Sequence, residues 1–572
     1  MKQLLLLIAV SSLSTAGFSQ IDKNHVYKWG NLIKPWEVTE FAINSKHYYE
    51  NTVNVIAPGK NDACPNGKII VMTGQPRPDR KMIISDLMTS DGKINTSQGT
   101  DVSLMININA EKLATDNQII KLKNGDLLAF KLGFLWTPIT PKPHWGDWIS
   151  DDVTDYKKMA RDAIFIYKST DCGANWSKVS IIDAAKIDKG QYGVPKPEKD
   201  GNGIQKKNAA GDLLWHSNGF DRQEVCYNEQ SNMIYMTTQI ASGKYQVKVG
   251  SSTVEIKGID KYGLFMSNSN GQGWQLKKDD FEERPLLMTT AANGRLFIFS
   301  LSNGKPVLYY TTKTKDYSLS SLKKVEIKYP ENGTPWKSEK DTNIHQMNEV
   351  DDNVKKSISI ARGPNNSVYI AYPVLNSSDK CEYVLCNVKI NEENPETFGI
   401  ANYASMRIKA SNPSHSLDYG TFVESKAESI NYLTDINTQI TPKTLFYFIE
   451  STTGDNIPKA SRKVAVKGIL IDHKTNMISG DFFLSRDATN IGRWFNPYSS
   501  DGGIGHYTKG AAYIYNDKQN YIAQWPEPDG IHVSIVSGVD LWRKDDKEIL
   551  KDINEMSKQK IFKFSQPINK QN

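Results

Sequence analysis

The chain alternates short apolar runs with polar turns over most of its length, and one arrangement recurs. An apolar run, a turn that holds Asn or Gly, and a second apolar run occur at 119–130, 225–238, 286–300, 358–372 and 511–525, with a weaker copy at 61–74. Asn-Gly stands in the turns at 124–125 and 293–294. Both residues accept positive φ, so this dipeptide is typical of tight hairpins. The pattern predicts a set of related β-hairpins.

Helical periodicity is confined to one segment near the C-terminus. Residues 545–557 place Ile549, Ile553 and Met556 on one stripe and acidic residues in the first turn. The expected fold class is therefore all-β, with a short C-terminal helix. Copies of one hairpin suggest a radial repeat, because a single unit cannot bury both of its faces whereas a ring of units can. We expect a β-propeller of six or seven blades, and the chain length favours seven.

The N-terminus has the pattern of a secretory signal peptide. Lys2 precedes an apolar run from Leu4 to Val10 that is too short to span a bilayer, and small residues follow it. Cleavage after about Gln20, with no Cys nearby to carry a lipid, predicts a secreted or periplasmic protein. The expected organisation is a signal peptide at 1–20, an N-terminal extension or closing strand at 21–60, the β-propeller at 61–540, and a C-terminal helix and tail at 541–572.

Two octapeptides share a turn motif. Residues 169–176 (STDCGANW) match S-x-D-x-G-x-[TSN]-W, and residues 267–274 (SNSNGQGW) have Ser269 where the Asp would stand. In such a turn the Asp and Ser side chains bond backbone amides, the Gly supplies positive φ, and the Trp fills the space between neighbouring sheets. Each octapeptide follows a β-run, which is where a hairpin turn belongs.

These octapeptides resemble the Asp boxes, or BNR repeats, of sialidase-like β-propellers, and together with the hairpins they cover roughly residues 60–540. The resemblance implies that the hairpins are the inner strands of successive blades. It also implies that Asp boxes lie on outer turns away from the active site, so Asp171 and Trp176 are expected to be structural. In size, secretion and residue types the chain is similar to secreted bacterial propeller enzymes such as ulvan-type polysaccharide lyases.

Composition excludes a mostly disordered chain, since 39% of the residues are hydrophobic and 23% are charged. The net charge is +6, from 70 Lys and Arg against 64 Asp and Glu. Outside the cytoplasm nucleic acid is not an expected partner. An acidic polysaccharide or oligosaccharide is, because a basic cleft concentrates polyanions, although Lys-rich solvated turns would give the same excess. We expect a monomer without a membrane span, since no later apolar run is long enough.

Cysteine and metal-binding patterns are weak. Five Cys residues at scattered spacings give no disulfide framework, and at most one or two bridges are expected. No Cys/His spacing indicates zinc, and no cofactor is required. The acidic runs at 151–152 and 351–353 could touch Ca²⁺, but they lack EF-hand spacing and are expected to be solvated turns. Nucleophile-elbow, zincin, P-loop and dinucleotide motifs are absent.

A propeller binds ligands at one mouth of its channel, where the residues that precede the inner strands of all blades meet. The segment 215–224 (WHSNGFDRQE) combines aromatic, imidazole, carboxylate and guanidinium groups. Arg222 can hold a sugar carboxylate in a bidentate fork, and Trp215 or Phe220 can support a sugar ring. Behind a Gly-rich bend, residues 505–507 present an imidazole and a phenol. The expected catalytic residues are His216, Arg222, His506 and Tyr507.

A second set of residues is expected to bind substrate: His144, Trp145, Trp215, Asp221, Glu224, Asp116 and His345. His144 and Trp145 lie in a long insertion at 131–160 and look like a ligand lid. Structural alternatives stay open for these segments: an Asp–Arg pair that ties two blades, a blade-joining loop, simple packing, or a surface histidine. The other histidines have no such polar company in the sequence and are expected to be ordinary: His25, His47, His415, His473 and His532.

Three functions fit these residues. A uronate-directed polysaccharide lyase is preferred, because β-elimination needs a cation on the carboxylate and a His or Tyr that removes a proton. The second is a glycoside hydrolase of the sialidase-like type, with Asp116, Asp221 or Glu224 as acid or base. The Arg-Ile-Pro that the resemblance implies for a sialidase is absent from the chain. The third is a non-catalytic glycan- or protein-binding propeller, since a fold does not fix a function.

Overall fold

The computed structural model is built of β-strands. It describes residues 37–44, 52–59, 63–72, 82–90, 95, 99–102, 117–133, 163–183, 196–197, 201–202, 204, 215–216, 218–242, 245–249, 252–256, 260–267, 270–302, 305–327, 334–335, 358–363, 366–378, 380–395, 404–410, 412–423, 443–452, 463–472, 481–485, 493–494, 510–515, 518–527 and 530–539. Every regular element in these residues is a strand, which confirms the all-β class. The helix predicted at 545–557 lies outside them.

The strands of the N-terminal half have the following bounds: β1 (Glu37–Asn44), β2 (Thr52–Ile56), β3 (Lys68–Met72), β4 (Met82–Asp86), β5 (Thr100–Asp101), β6 (Asn117–Lys121), β7 (Leu127–Gly133), β8 (Ala163–Ser169), β9 (Ser177–Asp183), β10 (Lys196–Pro197), β11 (Trp215–His216), β12 (Asn218–Asn228), β13 (Met233–Ser242), β14 (Tyr245–Val249), β15 (Ser252–Ile256), β16 (Asp260–Ser267) and β17 (Gln275–Lys278).

The strands of the C-terminal half follow: β18 (Leu287–Thr290), β19 (Leu296–Ser302), β20 (Lys305–Thr311), β21 (Leu322–Glu326), β22 (Thr334–Pro335), β23 (Ser359–Arg362), β24 (Ser367–Leu375), β25 (Cys381–Lys389), β26 (Ala404–Ile408), β27 (His415–Phe422), β28 (Lys443–Thr452), β29 (Lys463–Asp472), β30 (Phe482–Phe483), β31 (Arg493–Trp494), β32 (Gly510–Tyr515), β33 (Lys518–Glu527) and β34 (Gly530–Val539).

Antiparallel pairing sorts these strands into seven blades. They are blade I (β2–β5), blade II (β6–β9), blade III (β12, β13, β16, β17), blade IV (β18–β21), blade V (β23–β26, with β22 beside β24), blade VI (β27–β30, with β31 beside β29) and blade VII (β32–β34 with β1). The first strands of successive blades contact one another, from β32 through β2, β6, β12, β18 and β23 to β27. They therefore form the hub of a seven-bladed β-propeller, as the hairpin repeat predicted.

The ring is closed by the pairing of strands from its two ends. Strand β1 pairs with β34 over its whole length, from Glu37 opposite Ser537 to Asn44 opposite Gly530. The outermost strand of blade VII thus comes from the N-terminal part of the chain. Strand β1 lies in the segment 21–60, for which the sequence predicted an N-terminal extension or a closing strand, and β2 of blade I lies in the same segment. No helix in the described residues is long and apolar enough to cross a membrane.

Chain direction gives the propeller two different ends. We call the end at which each blade's first and third strands begin the mouth end, and the opposite one the turn end. The predicted hairpins are the first and second strands of blades I, II, III, IV, V and VII, and their turns lie at the turn end. In blade VI residues 423–442 separate β27 from β28, so no compact turn marked that hairpin in the sequence.

The hydrophobic core lies between the blades. Side chains of a strand alternate between its two faces, so each blade contributes to two apolar clusters. In blade II, Leu127 and Ala129 join the cluster shared with blade I. Leu128 and Phe130 join the cluster shared with blade III. This packing explains why the second strands read as unbroken apolar runs rather than as alternating ones.

Side chains at the hub satisfy the inner edges of several first strands. Such an edge exposes unpaired backbone amides. Asn54 Oδ1 accepts a hydrogen bond from the amide of Ile119 in the next blade, at 2.9 Å. In the same way Ser359 Oγ accepts from the amide of Phe422, at 2.9 Å. Polar residues on first strands therefore tie neighbouring blades together.

The first octapeptide forms the predicted turn between β8 and β9, at the turn end. Asp171 Oδ1 accepts from the Asn175 amide at 2.8 Å, and Ser169 Oγ accepts from the Gly173 amide at 2.7 Å. Gly173 has a φ of +88°, and the Trp176 indole donates to its carbonyl at 2.8 Å. Trp176 is buried in the cluster between blades I and II. The turn bonds predicted for this motif are therefore present, between the third and fourth strands of blade II, and we call this turn the first Asp box after the motif that it resembles.

The second octapeptide repeats this geometry between β16 and β17. Gly271 has a φ of +80°, and the Trp274 indole donates to its carbonyl at 2.8 Å. Trp274 packs edge-on against Phe130 of blade II, with ring centroids 5.7 Å apart. The backbone and Trp274 therefore keep the geometry of the first octapeptide although Ser replaces the Asp. Ser269 itself lies outside the described residues.

A disulfide joins Cys64 in blade I to Cys172 in the first Asp box, with Cα atoms 5.1 Å apart. The two residues are 108 positions apart in sequence, so no spacing rule could pair them. The remaining cysteines are buried thiols: Cys226, Cys381 and Cys386. This result agrees with the expectation of at most one or two bridges.

Candidate functional site

Polar and charged side chains gather where blades meet at the mouth end. The most central group lies between blades II and III. Gln118 Nε2 donates to Glu224 Oε2 at 2.7 Å and to the carbonyl of Gln223 at 3.0 Å. Gln118 Oε1 accepts from the amide of Val225 at 2.7 Å. The amide of Gln118 thus fixes the Glu224 carboxylate at the hub, and Glu224 remains half-buried.

A β-bulge in the first strand of blade III sets the position of Glu224. Between Asp221 and Glu224, β12 advances three residues while β13 advances two, from Gln239 to Thr237. Bulges redirect side chains and concentrate near active sites. Gln223 lies within the bulge and donates to the carbonyl of Phe130 in β7, at 2.8 Å. Strand β12 therefore crosses the mouth end of blade II from its second strand towards its first.

The structure places the predicted 215–224 segment on two elements. Trp215 and His216 form β11, which pairs with Pro197 and Lys196 of β10. Asp221, Arg222 and Glu224 lie together in β12, and the Glu224 side chain is described. The side chains of Trp215, His216, Asp221 and Arg222 lie outside the described residues. So do the following predicted site residues as a whole: Asp116, His144, Trp145, His345, His506 and Tyr507.

A second cluster lies between blades III and IV. Tyr309 Oη donates to Glu283 Oε2 at 2.5 Å, and Lys324 Nζ lies 2.5 Å from Glu283 Oε1 and 2.6 Å from Glu282 Oε2. Burial alone would raise the pKa of Glu283, but the hydrogen bonds from Lys324 and Tyr309 lower it. Burial and then the bond to Glu283 raise the pKa of Tyr309. These groups hold an ionised carboxylate beside a protonated phenol.

A third cluster crosses blade VI and was not found by sequence reasoning. His415 Nδ1 lies 2.8 Å from Glu450 Oε1, and Lys467 Nζ lies 2.6 Å from Glu450 Oε2. Lys467 also lies 2.9 Å from Asp481 Oδ2. Burial opposes the charge of Glu450, yet Lys467 and then His415 lower the pKa of this carboxyl. His415, expected to be an ordinary histidine, therefore has a carboxylate partner. The sequence did not reveal this partner because Glu450 is 35 residues away.

Burial acts differently on the two ends of this third cluster. It raises the pKa of Asp481 despite the nearby Lys467. It would lower the pKa of Lys467, but Asp481 and Glu450 together raise it. The ammonium group is therefore held charged between two carboxyl groups.

Among the residues that the structure describes, no group of three or more His, Cys, Asp or Glu side chains could hold a metal ion.

Comparison with solved structures finds sialidases. The NanB sialidase of Streptococcus pneumoniae is 9% identical, with a TM-score of 0.34 over 84% of each chain. The leech intramolecular trans-sialidase is 9% identical, with a TM-score of 0.35 over 93% of this chain and 98% of its own. A Trypanosoma rangeli sialidase mutant displaying trans-sialidase activity is 10% identical, with a TM-score of 0.31 over 91% and 61%.

No protein-family model matches the chain. No curated protein sequence matches it either.

Proposed function

We propose that this protein is an exported glycoside hydrolase that cleaves an acidic glycan at the mouth end of the propeller. In this proposal Glu224 is the carboxyl group that transfers a proton at the glycosidic bond. Hydrolysis of most glycosides uses carboxyl groups as acid and base, and the hub between blades II and III holds such a group.

The position of Glu224 carries the proposal. Glu224 lies on a first strand beside a bulge, and it accepts a hydrogen bond of 2.7 Å from the neutral amide of Gln118. A group that transfers protons must be fixed in place and yet reach the substrate. Because Glu224 is half-buried, it meets both requirements. Gln118 can bond this oxygen whether the carboxyl is charged or neutral, so the bond allows both protonation states.

Residues of the same strand supply the preference for an acidic substrate. Asp221 and Arg222 lie within three positions of Glu224 in β12. A guanidinium forms a bidentate pair with a sugar carboxylate, so Arg222 is assigned to the acidic group of the glycan. Asp221 is assigned as the second carboxyl group of the reaction. Trp215 and His216, in the short ribbon that precedes β12, are assigned to contacts with the sugar rings.

Hydrolysis is preferred here to β-elimination. Glycoside hydrolysis needs a carboxyl group as acid or base, and the described part of the hub supplies one in Glu224. Export is supported by the bridge between Cys64 and Cys172, because disulfides persist in oxidising compartments.

The test is turnover of a panel of acidic glycans by the purified protein: ulvan, pectin, alginate, heparin and sialyl-oligosaccharides. New reducing ends measure hydrolysis, and ultraviolet absorbance of unsaturated uronates measures elimination. We expect Glu224→Gln to lower kcat by about 10²–10⁴-fold, because an amide cannot transfer the proton. Arg222→Ala is expected to abolish turnover of the acidic glycan while leaving the fold intact.

Glu282→Gln is the matched control. This carboxylate also lies at the mouth end, but its side chain is 76% exposed and pairs with Lys324. We expect wild-type kinetics for it. Wild-type kinetics for Glu224→Gln would remove the assignment of Glu224. Unsaturated products without new hydrolytic ends would show that the reaction is an elimination. Binding of the panel without any product would show that the protein is a glycan-binding propeller.

A further inference from the structure

We propose that His415 forms a second sugar-binding subsite, in which its Nε2 accepts a hydrogen bond from a glycan hydroxyl at the mouth end of blade VI. The inference rests on the proposed binding of a glycan at this end. It adds a contact on a different blade from Glu224, and it holds whether the bound glycan is hydrolysed or only bound.

The first strand of blade VI repeats the bulge of the first strand of blade III. Between Asp418 and Thr421, β27 advances three residues while β28 advances two. The bulge of β12 between Asp221 and Glu224 has the same offset. Bulges of this kind re-aim side chains next to functional sites. Blades III and VI thus modify their first strands alike, and the blade III bulge adjoins the proposed catalytic group.

Both strands also approach the hub from outside. Ser416 Oγ accepts from the amide of Cys381 in the third strand of blade V, at 3.1 Å. Phe422, further along β27, donates its amide to Ser359 in the first strand of that blade. Strand β27 therefore crosses the mouth end of blade V on its way inward, and His415 is its outermost residue. A glycan chain that extends outward from the hub over these blades would contact His415.

The imidazole of His415 is held in one orientation with part of the ring exposed. Its Nδ1 lies 2.8 Å from Glu450, whose side chain is fully buried, while the side chain of His415 is 11% exposed. In the proposed subsite the exposed part of the ring is the edge that carries Nε2. When Nδ1 donates to Glu450, the neutral ring presents Nε2 as an acceptor. A sugar hydroxyl is the matching donor.

The carboxylate that orients this ring is itself fixed. Its second oxygen lies 2.6 Å from Lys467, which is 2% exposed and also bonded to Asp481. Such an arrangement pre-organises the imidazole, as the carboxylate partners of metal-binding histidines do. Burying these charges is expensive compared with burying apolar residues. The same interface is apolar at Phe446 and Phe448, so the charged cluster interrupts an otherwise apolar contact. A role in orienting His415 would explain why charged residues stand there.

Access to the ring can be measured without any enzyme assay. Diethyl pyrocarbonate acylates the uncharged imidazole nitrogens that it reaches, and peptide mass spectrometry locates the modified histidine. We expect His415 to be acylated and His532 to resist. His532 is the internal control, since it is 3% exposed and stacked on Trp525 with ring centroids 6.1 Å apart. Resistance of His415 equal to that of His532 would overturn the subsite.

Binding gives the second measurement, with the same glycan panel as titrants in calorimetry. We expect His415→Gln to weaken binding about tenfold, the loss of roughly one well-made hydrogen bond. Glu450→Gln should weaken it less and change the rate at which His415 is acylated. Ser414→Ala is the matched control, because Ser414 is exposed and bonds Asn412 in the preceding turn. Every glycan that binds should slow acylation of His415.

The outcomes separate this inference from the proposed function. If Glu224→Gln abolishes turnover while His415→Gln binds glycan like the wild type, only the subsite is wrong. A bound glycan that leaves acylation of His415 unchanged has the same meaning. If no member of the panel binds, the proposed function and the subsite fall together.

Discussion

The two ends of the propeller partner their polar side chains in different ways. At the turn end, the polar groups of the Asp box bond to backbone within a few residues, as Ser169 and Asp171 do. At the mouth end, polar groups bond across strands and blades, as in the pairs of Gln118 with Glu224 and of His415 with Glu450. The turn end therefore combines local turns with contacts between blades, such as that of Arg295 Nη2 with Glu392 at 2.7 Å, whereas these two mouth-end pairs form only when distant strands come together.

This difference also affects how much each contact contributes to the free energy of unfolding. A local turn bond forms without bringing distant residues together, and its groups stay close to water, so each contributes little. The charged cluster of blade VI is buried, and its charges are stable only in each other's presence. We expect single substitutions to be costly in the blade VI cluster and mild in the local turns, with the disulfide and the pair of the buried Arg295 with Glu392 as exceptions at the turn end.

The largest effect is expected for Lys467→Met. It leaves two carboxyl groups, Glu450 and Asp481, without the ammonium that lies between them. Removing one partner of a buried ion pair costs about 3–5 kcal/mol. The measurement is the free energy of unfolding from urea denaturation. A loss below about 1 kcal/mol, the range of exposed pairs, would show that water reaches this cluster.

Lys168→Met provides the matched comparison at the turn end. Lys168 Nζ lies 2.5 Å from Asp126, and the two side chains are 21% and 11% exposed. Because water still reaches both groups, we expect a loss of about 1 kcal/mol or less. Equal losses for Lys168→Met and Lys467→Met would break the comparison between the two ends.

The same difference explains what the sequence could predict. The Asp box and the Asn-Gly turns lie within a few adjacent residues, so their pattern is visible in a single chain. The blade VI cluster joins His415 to a carboxylate 35 positions later, and Gln118 lies 106 positions from Glu224. No local pattern links such residues, which is why His415 seemed ordinary. Glu224 was identified because of its neighbours at 215–224, not because of Gln118.

The disulfide gives the second largest expected effect. Replacing Cys64 and Cys172 by Ser should lower the free energy of unfolding by about 2–5 kcal/mol, because the bridge closes a long loop in the unfolded chain. Glycan turnover at 25 °C should not change, since the bridge lies at the end opposite the mouth. Loss of turnover in the folded variant would couple the two ends and contradict their independence.

Reduction of the wild-type protein supplies the control for this prediction. Dithiothreitol should lower its unfolding midpoint to that of the Cys64→Ser, Cys172→Ser double variant. The same treatment should leave the double variant unchanged, because its other cysteines, Cys226, Cys381 and Cys386, are thiols already. A shift in the double variant would mean that a second bridge exists.

The smallest effect is expected for Asp171→Asn in the first Asp box. Burial slightly opposes the charge of Asp171, but hydrogen bonds from Asn175 and Ser169 lower its pKa. A carboxyl whose pKa is lower in the folded state stabilises above its unfolded pKa of about 3.9, and this stability is lost as pH falls through the folded pKa. We expect Asp171→Asn to cost about 1 kcal/mol at neutral pH, with the difference from wild type shrinking below about pH 4.

Trp176→Phe removes the indole bond to Gly173 in the same turn without a titrating group, so its cost should not vary with pH. Parallel acid dependence in both variants would show that the Asp171 charge does not stabilise the turn.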